Sequence, residues 1–267
     1  MAYLSAVVPF GYSDFTGEGL LKLYKRLGCE TIQVQRHPEK DPPAAELRQK
    51  TEDAGLRVDS LHGRFGVDLD PSSPSASMRA ETMRVAIEDA AYCAALGGEC
   101  VVLHPSTSGT VTGSNARQSR LVEFLGELEG PARDHGVRFL LENLPPIFPL
   151  GGHAVDLIEV LAQIRSDRYG LILDTGHANM AENPKLQFDT MFEGGLSAMH
   201  VHDNKGVLDN HLWPGEGTVD WKQVSSRIDE LGDIPLALEV FPMEAQLEAR
   251  IEAGAGDAVR RLLGLDS

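Results

Sequence analysis

The chain has 267 residues, enough for one large domain with a sizeable core or for two small ones. Its 24 Lys and Arg stand against 40 Asp and Glu, a formal charge of −16, which argues against a nucleic-acid footprint and towards a small-molecule protein. Cys29, Cys93 and Cys100 lack CxxC spacing and read as reduced thiols of a cytoplasmic protein, the N-terminus lacks the basic and apolar regions of a signal peptide, and no run reaches the roughly 20 apolar residues of a membrane span.

In chain order, short β-rich apolar runs alternate with segments of helical period. Strands are expected at 3–8, 30–35, 57–62, 99–104, 137–142, 169–174, 196–202 and 235–240. Helices are expected near 17–27, 43–54, 76–96, 115–134, 153–165, 184–192, 220–231 and 244–263. In 76–96, for example, Ala, Met, Ile and Leu recur at steps of three and four residues, and Gly97-Gly98 ends the run. Strands alternating with helices imply parallel pairing through right-handed crossovers. Eight such units at this length imply a single (β/α)8 TIM barrel over 1–267, rather than a doubly wound open sheet. No linker, low-complexity tract or charge block marks a second domain, and 68–77 and 105–115 read as loops on the face where barrel enzymes keep their chemistry.

Residues 196–221 concentrate His200, His202, Asp203, Asp209 and His211, and imidazole nitrogen with carboxylate oxygen is the donor set of zinc and manganese sites. The expected strand ends extend the pattern: His62, His104, Glu142, Asp174, His200 and Glu239 stand at or near the ends of strands three to eight. Singly, such a carboxylate reads as a helix cap and such a histidine as a core residue. In a closed barrel these ends converge on one axis, and carboxylates grouped there repel one another without a compensating cation. Asp174-Thr175-Gly176-His177 is expected to turn tightly and aim His177 at the same cavity, with Asp209 and His211 reaching it from the seventh loop.

LHPST at 103–107, LENLP at 141–145, LDTGHA at 173–178, HVHDNKG at 200–206, DNHLWPGEG at 209–217 and LEVF at 238–241 resemble the xylose isomerase-like TIM-barrel superfamily. That group holds sugar isomerases and epimerases together with the endonuclease IV type of abasic-site nuclease, and the resemblance runs from the second strand to the last. It implies that Glu142, Asp174, His200 and Glu239 hold the metal shared by the isomerases and epimerases. It also implies that His62, His104, His177, Asp209 and His211 sit where the nuclease branch holds two further zinc ions.

Two mechanisms follow from the resemblance. In an isomerase or epimerase, one divalent ion (Mn²⁺, Zn²⁺, Co²⁺ or Mg²⁺) polarises a sugar carbonyl, Glu142 and Glu239 pass the proton as base and acid, and His177 orients a hydroxyl. Specificity is then expected from Arg36, His37, Arg64, Phe65, Lys205 and Trp213. The chain departs from well-characterised epimerases in having Asp203-Asn204-Lys205 where they supply an arginine after the metal histidine. In the nuclease alternative, three zinc ions clamp a phosphodiester, with Glu142 bridging two of them. The acidic balance and the absence of clustered Lys and Arg in the loops oppose that alternative. A dehydratase of the same superfamily would use the same metal and carboxylates. Gly215-Glu216-Gly217, before the expected helix at 220, can offer backbone N–H groups to a sugar phosphate or merely close its loop. The expected partner is a small sugar, with nucleic acid and membrane disfavoured and homo-oligomerisation left open.

Overall fold

The computed structural model describes residues 1–11, 17–36, 40, 42–107 and 114–265. Eight strands, β1 (Tyr3–Phe10), β2 (Thr31–Arg36), β3 (Arg57–His62), β4 (Cys100–Leu103), β5 (Arg138–Glu142), β6 (Tyr169–Asp174), β7 (Leu196–Val201) and β8 (Pro235–Leu238), pair in sequence order and close into one barrel. Every pairing is parallel, and β1 lies beside β8 with Tyr3 opposite Pro235. Helices α1 (Gly17–Leu27), α2 (Ala44–Asp53), α3 (Ala76–Leu96), α4 (Ser114–His135), α5 (Ala154–Ile164), α7 (Pro184–Gly194) and α8 (Trp221–Ile228) supply the crossovers. The expected single (β/α)8 barrel is the observed architecture. Residues 108–113 of the expected 105–115 loop, and His37, lie outside the described residues.

Two helical features depart from expectation. The segment expected as one helix over 244–263 is two, α9 (Glu244–Glu252) and α10 (Ala255–Leu263), because Gly254 between them has φ 81°, a left-handed conformation that a continuing helix cannot contain. A short additional helix, α6 (Thr175–Asn179), follows β6 directly, where a tight turn was expected. Among the described residues, no helix is long and apolar enough to cross a membrane.

The main core lies between the barrel wall and the helices and includes Leu4, Val8, Ile32, Val34, Leu61, Leu141 and Leu173. Side chains on a strand alternate between its two faces, so the residues between these face the axis. On β4 to β7 the inward layer is apolar: Val102, Leu140, Ile172 and Ala198 form their own cluster, two residues before His104, Glu142, Asp174 and His200. On β1 to β3 it is polar. The register between β2 and β3 shifts so that Ile32 pairs with Val58 and Gln33 with Ser60. Asp59 is the extra residue, and this bulge lets Asp59 and Ser60, adjacent in sequence, both turn inward.

Candidate metal centre

The ends of β5 to β8 bring four donors together at the C-terminal mouth. One ligand atom from each of Glu142, Asp174, His200 and Glu239 lies within 4.8 Å of the others, and all four residues are buried. His200 Nδ1 stands 3.2 Å from Glu142 Oε1, 3.1 Å from Glu239 Oε2 and 3.7 Å from Asp174 Oδ2. To one side, His104 Nε2 and His62 Nε2 are 3.0 and 3.8 Å from Glu142 Oε2. To the other, His177 Nε2 is 3.2 Å from Asp209 Oδ2, and His211 Nδ1 is 3.7 Å from Asp209 Oδ1. The structure therefore gathers at one mouth all nine donors singled out in the sequence.

Local sequence explains the aim of these groups. Asp174 ends β6 and caps α6, accepting from the His177 N–H at 2.6 Å, so helix cap and cluster member are one residue. Asn143 locks this corner from β5: its Oδ1 accepts from Asp174 N at 2.7 Å, and its Nδ2 donates to the Asp174 carbonyl at 3.0 Å. His211 has φ 46°, rare for a residue with a side chain, and is held there by the reciprocal backbone pair between Asp203 and Leu212, both bonds 2.8 Å.

His202, counted in the donor-rich 196–221 stretch but given no ligand role of its own, belongs to the cluster. Its Nε2 is 3.0 Å from both Asp174 oxygens and 3.7 Å from Asp209 Oδ1, and its ring stacks on His211 at 4.2 Å. Gly176 makes this approach possible, since a Cβ there would lie 2.0 Å from His202 Cε1. Asp203, from the same stretch, serves its loop instead. Fully buried, it accepts from the backbone N–H groups of Asn204, Gly215 and Val219 and from Trp221 Nε1 at 2.9 to 3.1 Å, and so folds the seventh loop around itself. Gly215 N is thereby engaged, Glu216 N donates to Trp213 O at 3.0 Å, and the Glu216 carboxylate pairs with Arg250 at 2.8 Å. Of the two readings the sequence left open for the glycine turn, these bonds fit the one in which it closes its loop.

Burial alone would raise the Glu142 carboxyl, but His200 and His104 beside it outweigh burial and hold it well below the usual range. Asp174 is likewise held down by His177 and His202 against burial. Glu239 goes the other way: burial, then the charges of Asp174 and Glu142, push it well above its ordinary value. Burial opposes the charged form of His177 and His202, but Asp174 and Asp209, joined for His177 by Glu142, together raise both, whereas burial lowers His62 to about 3 and also lowers His211. Glu142 Oε2 and Glu239 Oε2 are buried and accept no well-aligned hydrogen bond among the described residues. Two orphaned carboxylate oxygens amid imidazole nitrogens fit a divalent cation in both chemistry and charge.

Above the donors opens a cavity of about 430 Å³, walled by Phe65, Val67, Leu144, Pro145, Phe148 and Phe241, with Gln35 and Thr107 as polar members. Arg36, Arg64, Lys205 and Trp213 do not line it. Arg64 Nε bonds Asp89 at 2.8 Å and Arg36 Nη1 lies 3.4 Å from the same carboxylate, with Arg36 stacked over Tyr92. Lys205 is exposed, and Trp213 is buried under the Arg250 guanidinium. A second cavity of about 410 Å³ opens at the opposite mouth beside Arg57 and Arg138. Among the described residues none of the grouped donors lines it, so the candidate site is the C-terminal mouth.

Comparison with known proteins agrees with this geometry. The chain is 33% identical over 180 residues to the uncharacterised protein MJ1311 of Methanocaldococcus jannaschii, covering 64% of this chain and 60% of that protein. It is 28% identical over 126 residues to fructoselysine 3-epimerase of Escherichia coli O157:H7, 47% of this chain and 46% of that one. A probable endonuclease 4 of Thermoplasma acidophilum is 23% identical over 225 residues, 79% of this chain and 77% of the relative. The chain thus spans less than two thirds of the length of the first two of these relatives. Among solved structures, a D-tagatose 3-epimerase-like protein superposes with a TM-score of 0.78 at 21% identity, covering 96% of this chain and 97% of that one, a likeness of fold. The family model described as xylose isomerase-like TIM barrel matches residues 21–262, and with the closed barrel and its strand-end donors on view, the chain belongs to that family.

Proposed function

We propose that the protein is a divalent-metal-dependent isomerase or epimerase acting on a small uncharged sugar or polyol ketone. The observation that carries this reading is the pair Glu142 and Glu239, both buried, both in the same four-donor cluster and both bordering the cavity above it. Two carboxylates bordering one cavity can take a proton from a substrate and return it, as base and acid in turn. A bound cation, Mn²⁺, Zn²⁺, Co²⁺ or Mg²⁺, would polarise the substrate carbonyl and acidify the neighbouring C–H. Glu142, Asp174, His200 and Glu239 would hold it. His177 Nδ1 donates to Asn143 O at 2.9 Å and Nε2 faces Asp209, which fixes the ring at the cavity edge to orient a hydroxyl. The cavity walls are mostly carbon, and no Lys or Arg is among the described lining residues, which favours an unphosphorylated substrate over a sugar phosphate or a nucleic acid.

The second reading, an abasic-site nuclease with three zinc ions, is favoured by one observation: all nine donors stand at one mouth, and beside the four-donor cluster His62, His104 and Glu142 form one further group of donors within 4.8 Å and Asp174, His177 and His202 another. Elemental analysis of protein purified without chelator separates the two, with about one ion per chain expected for the isomerase and about three for the nuclease. Incubation with a ketose panel and with abasic duplex DNA decides the class. Interconversion of ketoses is expected, and nicking of the DNA at catalytic protein concentrations would reverse the assignment.

A further inference from the structure

The polar half of the barrel interior calls for a physical reason. Ser5, Thr31, Gln33 and Ser60 are no more than 2% exposed, and they occupy positions that β4 to β7 fill with hydrocarbon. Burying hydroxyls, an amide and a carboxylate gives no stability advantage over a packed apolar layer of the same volume. What these groups do have is connection. They form one path from Asp59, towards the N-terminal mouth, to His200 in the donor cluster.

The direction of each hydrogen bond follows from the one before it. Asp59 Oδ2 accepts from Ser5 Oγ at 2.6 Å and from Thr31 Oγ1, and Asp59 Oδ1 accepts from Ser60 Oγ. The single Ser60 proton is engaged there, so the Ser60 oxygen can only accept, and Gln33 Nε2 donates to it at 2.9 Å. With its NH₂ turned to Ser60, Gln33 presents Oε1 to His200 Nε2 at 2.8 Å. An amide oxygen only accepts, so the His200 proton lies on Nε2 and Nδ1 keeps a bare lone pair. Nδ1 is the nitrogen that faces Glu142, Asp174 and Glu239.

We propose that Gln33 is the positioning residue of the metal centre: oriented by Ser60 and Asp59, it holds His200 in the Nε2–H tautomer and reserves Nδ1 for the cation. This rests on reading the four-donor cluster as a metal centre. The bulge in β3 is what makes the path continuous. With regular alternation Asp59 and Ser60 would face opposite sides of the sheet, and Ser60 would lose the acceptor that fixes its proton.

Two measurements on the whole chain test this. Nitrogen-15 NMR of histidine-labelled, metal-free protein reads the His200 tautomer, and titration with Co²⁺ or Zn²⁺ reads affinity. In the wild type, the proton is expected on Nε2. Gln33→Met keeps the side-chain length without the acceptor, and is expected to give mixed tautomers and a loss of affinity of about 10- to 100-fold. Ser60→Ala leaves Gln33 in place but free to turn over, and is expected to act in the same direction, which keeps the test decisive if Gln33→Met does not fold. A wild-type proton on Nδ1, an unchanged tautomer in a folded variant, or unchanged affinity despite mixed tautomers would each overturn the proposal while leaving the metal centre standing. Wild-type protein that takes up no divalent ion would remove the metal centre itself, and the role of Gln33 with it.

Discussion

At the scale of single residues, Glu142 and Glu239 have the sharpest expected phenotypes. Glu142→Gln and Glu239→Gln keep shape and volume but remove the proton-transfer group, so each is expected to lower turnover by about 100-fold or more with the circular dichroism unchanged. An active Glu142→Gln enzyme would refute the base assignment. Arg64 makes the opposite case. Its guanidinium was legible in the sequence as a loop cation free to meet substrate. In the structure it bonds Asp89, itself 2% exposed, along with Glu88 and Val85 O. Arg64→Ala is therefore expected to lower stability by about 2 kcal/mol, because it leaves a buried carboxylate with Arg36 and a backbone N–H but without its bonded guanidinium, and to leave KM little changed. The sequence could not disclose this, since Asp89 sits on α3, and only the fold reveals that the helix packs over the loop. His202 was within reach of sequence reasoning. Two residues after His200 on an extended segment, it faces the same side, and period-two alternation alone would have added it to the cluster.

At the scale of elements, the strand ends were legible because each donor follows an apolar run, and it is the runs that form the barrel wall. The connections were less so. The α6 turn depends on Asp174 acting as its cap and on Gly176 leaving room for an imidazole, and neither partner is adjacent in sequence to the other's target. Gly176→Ala is expected to displace His202 from Asp174. Metal affinity, read by titration, should fall and the thermal midpoint should drop; an alanine variant with wild-type affinity would show that His202 contributes nothing to the site. The seventh loop depends on Asp203 in the same manner. Asp203→Ala strands three backbone N–H groups and the Trp221 indole, and is expected to cost about 3 kcal/mol or more, with loss of the ordered positions of Asp209 and His211. Proteolysis of the 203–217 segment, slow in the wild type, should become fast in this variant.

At the scale of the whole molecule, the closed (β/α)8 architecture was legible because eight alternations at this length leave few other solutions, whereas the split after Gly254 was hidden by unbroken helical period on both sides of it. The electrostatics of the mouth make cation uptake depend on pH with a definite sign. Glu239, His177 and His202 all have raised proton affinity, so they hold protons that a cation must displace, whereas His62, lowered to about 3, has none to lose near neutrality. Affinity is therefore expected to rise with pH, and uptake to release protons, which calorimetry in two buffers of different ionisation heat would detect. Uptake independent of both pH and buffer would contradict the assignment of those groups as donors. A further consequence comes from where the four donors stand: each lies at the end of a different strand, from β5 to β8, so no single β/α unit carries more than one of them. An ion at the mouth would thus tie these four strands together, and that half of the wall could not part without letting it go. Escape of the ion and a parting of those strands become one event, so chelation should shorten the lifetime of the folded state more than it alters the rate of refolding.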